Sequence, residues 1–245
     1  RRIRRHGPCE QEALQQVAAP LLEQLRLLAA GYCIRAYIVE PTGPGVDTPE
    51  CLEHVRALMS GQAPSPKPTL ADIRLVITDV DGVLTDGGIY YDSNGECFKR
   101  FHVRDGMGMR LLEENGVRVA VLSGRDSATL RKRVADLGIT LCQFGVKDKF
   151  SACVELMAEA GVSAFETVFI GDDCIDLPAF SACGMSLAVA DAPEYVKSLA
   201  TETLLSMGGS GAFREVADAI LQAQGKDSVL HSAAGYARVM TKMAQ

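Results

Sequence analysis

Leu75-Val76-Ile77-Thr78-Asp79-Val80-Asp81-Gly82-Val83-Leu84-Thr85-Asp86 runs from an apolar stretch into a turn and delivers two carboxylates, two residues apart, where that stretch ends. Side chains alternate along an extended backbone, which puts Asp79 and Asp81 on the same side, and Gly82 permits the sharp exit that bares both. The arrangement reads as a phosphoryl-transfer site in which one carboxylate attacks phosphorus and the other manages protons. A carboxylate is a weak nucleophile toward an anionic phosphate monoester, so the pair implies a bound divalent cation. Mg²⁺, a hard ion suited to oxygen ligands, is the expected one. The same spacing also occurs in metal-binding loops of nucleotide-sugar enzymes and in plain turns.

Downstream of this stretch, short apolar strands alternate with amphipathic helices. Strands are expected at 73–79, 117–122, 139–144, 167–171, 185–189 and near 203–205. Helices are expected at about 106–115, 126–137, 148–160, 176–183, 192–200 and 212–224. Such alternation predicts an α/β fold with a doubly wound parallel sheet, whose ligand crevice lies outside the carboxyl ends of the strands. Three strand ends carry polar groups there: Asp79, then Ser123-Gly124-Arg125, then Gly171-Asp172-Asp173-Cys174-Ile175-Asp176. Lys149, at the start of a helix, would reach the same crevice and hold phosphoryl oxygens. Asp172 would complete the metal shell with an Asp79 oxygen and the Asp81 carbonyl, while Asp173 and Asp176 would orient ligands from behind it. Ser123 and the Gly124 amide would bind phosphate oxygens beside a helix N-terminus, or Ser123 would simply cap that helix. The rival reading of 171–173 is a turn with solvated acids, and that of Lys149 a solvated surface lysine.

The chain has 245 residues, 47% of them hydrophobic, and a net charge of −6. That length encloses one good core with an appendage, and the charge argues against a general nucleic-acid or membrane-surface binder. No apolar run reaches the roughly twenty residues of a membrane span, and the start lacks the core of a signal peptide, so a cytoplasmic protein is expected. The eight cysteines show no CxxC spacing and read as reduced thiols. Four histidines leave little scope for a histidine-based zinc site. Residues 10–30 show a helical pattern ended by Gly31, a strand-like 34–39 follows, and a short helix is expected from about 50 to 59. The proline-dense 61–71 reads as a connector. The expected domains are therefore 1–60, a linker 61–71, a main domain 72–226 and a tail 227–245.

In their order along the chain, Asp79-x-Asp81-Gly-Val-x-Thr85-Asp86, Ser123-Gly124-Arg125, Lys149 and Gly171-Asp172-x-x-x-Asp176 resemble the four motifs of the haloacid dehalogenase-like phosphatases. Finer likeness lies in Gly87–Tyr91, in Lys99-Arg100-Phe101-His102-Val103-Arg104-Asp105-Gly106, in Gln143–Lys149 and in Gly208–Glu215. Within that superfamily these stretches are most similar to the 3-deoxy-D-manno-octulosonate (KDO) 8-phosphate phosphatases. The resemblance covers about 72–226 and implies Mg²⁺, a homotetramer, and release of phosphate from an eight-carbon sugar acid in lipopolysaccharide precursor synthesis. One departure is Ser210, where the family usually carries arginine.

Only 43 residues separate Asp79 from Ser123, and 23 separate Arg125 from Lys149, so neither gap holds a folded cap domain. A lid for a small-substrate site would come from elsewhere. Residues 87–101, with Asp92-Ser93-Asn94-Gly95 between two strand-like arms, read as a projecting β-hairpin suited to pairing between subunits. Arg104 is the candidate for the sugar carboxylate, which a guanidinium matches bidentately; a structural turn at Arg104–Asp105 is the alternative. Leu22–Gly31 and Gly45–Arg56 resemble the C-terminal end of CMP-KDO synthetase, which makes 1–60 an expected remnant of a longer fused cytidylyltransferase. Two rival functions remain: a phosphatase for another ulosonic acid phosphate, such as a nine-carbon sialic-acid type, and a non-catalytic tetramerisation module.

Overall fold

The computed structural model describes residues 67–93, 95–234 and 237. The expected remnant 1–60, most of the linker, Asn94 at the hairpin tip and most of the tail beyond 234 lie outside them.

The core is built on Leu75–Thr78 (β1), whose four residues are all buried. A strand covered on both faces reads as a continuous apolar run rather than an alternating one, and this one lies inside the sheet. Tyr90–Asp92 (β2) and Gly95–Phe98 (β3) form a separate antiparallel pair. Val103–Glu114 (α1), Arg118–Ser123 (β4), Ala128–Leu137 (α2), Leu141–Phe144 (β5), Lys149–Ala160 (α3) and Thr167–Gly171 (β6) follow in alternation. Leu177–Ala182 (α4), Met185–Ala188 (β7), Glu194–Lys197 (α5), Glu202–Thr203 (β8), Ala212–Ala223 (α6) and Ser228–His231 (α7) complete the described chain. The main sheet has six strands in the order β5-β4-β1-β6-β7-β8, and every neighbouring pair is parallel. The expected doubly wound sheet is therefore present. β1, β4 and β6 sit side by side, which brings three of the sequence's polar strand ends together.

Ladder bonding continues past β1, since the Asp79 amide donates to the Ile170 carbonyl at 3.0 Å. The backbone of that aspartate is thus fixed by the sheet although its side chain stands outside it.

α1 starts at Val103, three residues before its expected start. Gly106 and Gly108, both within the expected helix, lie inside it for packing reasons. A Cβ on Gly106 would come within 2.6 Å of the Arg133 guanidinium and 2.9 Å of Leu137, both on α2. One on Gly108 would meet Ala217 at 3.1 Å and Arg214 at 3.2 Å, both on α6. The glycines let α1 approach two neighbours closely. α6 turns Phe213, Val216, Ala217, Ile220 and Leu221 into the core on one face. Val229 of α7 joins the same core, so the first turn of the expected tail packs with the main domain.

No domain is inserted between Asp79 and Ser123 or between Arg125 and Lys149; those gaps hold the hairpin and α1, and α2 and β5. The hairpin leaves Tyr91 and Phe98 exposed at 64% and 54%, and stacks Tyr90 on Phe98 with ring centroids 4.4 Å apart. Cys142, Cys153, Cys174 and Cys183 are free thiols, and among the described residues no helix is long and apolar enough to cross a membrane.

Candidate active site

The turn after β1 is tight: the Val80 carbonyl accepts from the amides of Val83, Leu84 and Thr85 at 3.3, 2.9 and 3.0 Å. Gly82 takes φ +93° there, and a Cβ on it would fall 2.0 Å from Asp172 Oδ2. The Asp172 carboxylate is therefore seated directly against the Gly82 backbone, closing the end of β6 onto the Asp79–Asp81 loop. Only a residue without a side chain admits that contact.

Lys149, the first residue of α3, is buried with its Nζ 2.9 Å from Asp79 Oδ1 and 2.6 Å from Asp176 Oδ1. A solvated surface lysine is excluded. Asp176 is fully buried, and its Oδ2 accepts from the amides of Asp172 and Asp173 at 2.9 and 3.3 Å. Both its oxygens are thus committed: it anchors the ammonium and folds the Gly171–Asp176 loop. Asp173 stands elsewhere. Its Oδ1 accepts from the Cys174 amide at 2.6 Å and the Tyr195 hydroxyl at 2.9 Å, so it caps a single turn of 3₁₀ helix and ties the loop to α5. The backbone bond to Cys174 holds its carboxyl below the usual range.

Ser123, at the end of β4, is buried, and its Oγ accepts from the Arg125 amide at 3.1 Å, which leaves its own proton for an oxygen ligand. The cap of α2 is Ser127, whose side chain accepts from the Leu130 amide, so the capping alternative for Ser123 is not realised. Asp79, Asp81, Ser123, Gly124 and Lys149 together line a cavity of about 290 Å³, along with Arg125 and Lys147. Arg104 is not among the lining residues; it is exposed on the first turn of α1. The neighbouring Asp105 is buried and accepts from the Arg214 amide at 2.9 Å, joining α1 to α6.

Three groups around this cavity lie in stretches quoted above for their likeness, with no individual role expected of them. Arg125 and Lys147 add positive charge to its wall, and their signal was adjacency to Gly124 and Lys149. Lys99 comes from the hairpin: its Nζ lies 2.6 Å from Asp81 Oδ1 and 3.2 Å from Glu96 Oε1. Its stretch resembled the family, but nothing local names Asp81 as its partner, because the contact exists only once the chain packs. The glycine turn is a third contributor. The Gly209 amide donates to the Val83 carbonyl at 2.9 Å and the Gly208 amide to Asp191 Oδ1 at 2.9 Å, so the turn braces the loop that bears Asp81. Ser210 is exposed within it.

Carboxylate oxygens of Asp79, Asp172 and Asp176 all lie within 4.8 Å of one another, with one ammonium between them. Burial, and then the charge of Asp176, raises Asp79 to about 7 from its ordinary 3.8. Burial, then Asp79 and Asp176, raises Asp172 to about 8. Such crowding of oxygen donors in excess of cationic charge fits a hard divalent ion. Because Asp176 is saturated by Lys149 and two amides, Asp79 and Asp172 are the side chains that would hold it, with the Asp81 carbonyl.

Residues 146–214 match the family model of the haloacid dehalogenase-like hydrolases, and that is the class the strand order and the strand-end carboxylates define. The chain is 57% identical over 176 residues to the curated 3-deoxy-D-manno-octulosonate 8-phosphate phosphatase of Haemophilus influenzae, covering 72% of this chain and 98% of that one. The chain belongs to the family of 3-deoxy-D-manno-octulosonate 8-phosphate phosphatases. Among solved structures, a cobalt-bound form of the Haemophilus influenzae phosphatase superposes with a TM-score of 0.67 at 59% identity, over 68% of this chain and 98% of that chain. The Moraxella catarrhalis phosphatase, in complex with a magnesium ion, a phosphate ion and a KDO molecule, gives 0.63 at 36% identity, over 66% and 93%.

Proposed function

We propose that this chain is a Mg²⁺-dependent phosphatase that hydrolyses 3-deoxy-D-manno-octulosonate 8-phosphate to KDO and inorganic phosphate. The observation that carries the reading is the match to nearly the whole length of the Haemophilus influenzae phosphatase, alongside Asp79, Asp81 and Lys149 lining one cavity and Asp172 within reach of the Asp79 carboxylate. An Asp79 oxygen attacks phosphorus, the bond from phosphorus to the sugar oxygen breaks, and Asp81 gives its proton to the departing alkoxide. Water then attacks the aspartyl-phosphate, loses a proton to Asp81 and releases phosphate as the Asp79–phosphorus bond breaks. Lys149, the Ser123 hydroxyl and the Gly124 amide hold phosphoryl oxygens, and Asp176 fixes Lys149. Mg²⁺, held by Asp79, the Asp81 carbonyl and Asp172, supplies charge neutralisation at the phosphoryl group. Arg104 meets the sugar carboxylate only across subunits in this reading, since it is exposed and away from its own chain's cavity.

Phosphate release across KDO 8-phosphate, a nine-carbon ulosonic acid 9-phosphate and hexose phosphates tests the substrate. Preference for KDO 8-phosphate is expected. Preference for the nine-carbon acid, the reading that the unusual Ser210 leaves open, would move the enzyme to that substrate. No turnover by folded protein would favour an assembly module, which the full set of catalytic carboxylates argues against.

The carboxyls of Asp79 and Asp172 also set a pH response. Their pKa values, about 7 and about 8 when folded, stand above the ordinary 3.8, so without metal the folded state binds more protons between about pH 4 and 8. Stability of the metal-free protein is therefore expected to fall as pH rises through that window. Mg²⁺ binds the ionised form, so it should raise the melting temperature more at pH 8.5 than at pH 6. Thermal melts with chelator and with Mg²⁺ at both pH values check this, and an equal increment at both would count against the assigned ligands.

The proposal extends to assembly and setting. A cytoplasmic homotetramer, paired through the hairpin, is supported by the exposed Tyr91 and Phe98 and by the lack, among the described residues, of a domain inserted between Asp79 and Lys149. The motifs at 22–31 and 45–56 support 1–60 as a remnant of a CMP-KDO synthetase joined by the 61–71 linker to the phosphatase domain 72–226, with 227–245 as its tail.

A further inference from the structure

Lys99 is a lysine with no exposed side-chain surface, reached from β3 and directed at the proton-handling carboxylate. Its Nζ lies 2.6 Å from Asp81 Oδ1 and 3.2 Å from Glu96 Oε1. Glu96 Oε2 in turn accepts from Arg125 Nη2 at 3.0 Å, Arg125 Nη2 also donates to the Tyr91 hydroxyl at 3.2 Å, and Arg125 Nε stands 3.8 Å from Asp81 Oδ2. Two cations and two anions thus close a ring with no net charge. Asp81 Oδ2 is buried and has no hydrogen-bond partner. A buried ion pair is a poor device for stability, because desolvating both charges offsets most of their attraction, and a methionine would fill the same volume. What the pair does supply is orientation.

We propose that Lys99 is a positioning residue for the phosphatase reaction: it holds Oδ1 of Asp81, so that Oδ2 is the oxygen which exchanges a proton with the leaving alkoxide and with water. An ammonium has three donors and no acceptor, so the oxygen it grips cannot also present a proton toward it. Glu96 and Arg125 hold the ammonium from the other side, which makes the β2–β3 hairpin part of the acid–base machinery of its own chain. The proposal rests on the assignment of Asp81 as the proton donor and acceptor.

Leaving-group dependence separates positioning from mere structure. A sugar alkoxide needs a proton as it departs, whereas nitrophenolate leaves without one. In the full chain with Mg²⁺, Lys99→Met is expected to lower kcat/KM about 100-fold for KDO 8-phosphate and less than about tenfold for p-nitrophenyl phosphate. Equal losses on both substrates, or no loss on either, would overturn the proposal. Asp81→Asn runs alongside as the reference. If it shows the selective loss and Lys99→Met does not, the Lys99 proposal fails alone; if Asp81→Asn strikes both substrates alike, the Asp81 assignment fails with it. Should Lys99→Met not fold, Lys99→Gln, which keeps a donor without the charge, carries the same comparison.

Discussion

Asp79→Asn is expected to lower turnover by about 10⁴-fold or more while the protein keeps its fold and its elution volume on gel filtration. A carboxamide retains the shape of the side chain and an oxygen that can accept from Lys149, now 2.9 Å from the carboxylate, but it offers no anionic nucleophile. Three carboxylates crowd one ammonium here, so removing one negative charge relieves repulsion and should leave the metal-free protein at least as stable. Two measurements decide the matter: kcat on the preferred substrate, and radiolabelled phosphate on acid-quenched protein during turnover. Label is expected on the wild type and absent from the variant. A variant that hydrolysed within tenfold of wild type would remove Asp79 as the nucleophile.

The second large effect is expected far from Asp79 in sequence. In Gly208→Ala the new Cβ would stand 1.9 Å from the Gly82 carbonyl oxygen and 2.6 Å from its carbon. Those are backbone atoms of the turn between Asp81 and Val83, which the sheet and the Val80 carbonyl already hold, so neither side can yield cheaply. A loss of about 2–4 kcal/mol in stability is expected, with a fall of at least about tenfold in kcat/KM as the loop bearing Asp81 shifts. Urea melts and steady-state kinetics read the two effects. Gly116→Ala is the control, since it also sits at positive φ, +82°, but has nothing within 4 Å of the added methyl. It should cost only about 1 kcal/mol of backbone strain and leave activity unchanged. If the two variants behaved alike, the contact between the glycine turn and the catalytic loop would carry no weight.

The sequence by itself determined what depends on local pattern. The apolar runs and the helical spacings after residue 73 imposed the parallel sheet, and a parallel sheet brings its strand ends to one edge; Asp79 met Ser123 in the cavity, and Asp172 beside it, for that reason. Lys149 was legible because helix starts lie at the same edge. Tertiary structure alone decided which polar groups pair. Asp176 became the anchor of Lys149 because burial of a short turn aimed both its oxygens at donors. Asp173, three residues earlier, was turned to Tyr195 instead. Gly106 and Gly108 fell inside the expected helix, but why glycine stands there became visible only with α2 and α6 pressed against α1. Lys99 is the clearest case. It lies 18 residues from Asp81, in a stretch whose likeness to the family assigned it no partner, and their contact depends on how the end of the hairpin packs against the Asp79–Asp81 loop. Periodicity is a property of neighbours in the chain and can be read there; a salt bridge between distant residues is fixed by how whole elements pack, which no local pattern contains.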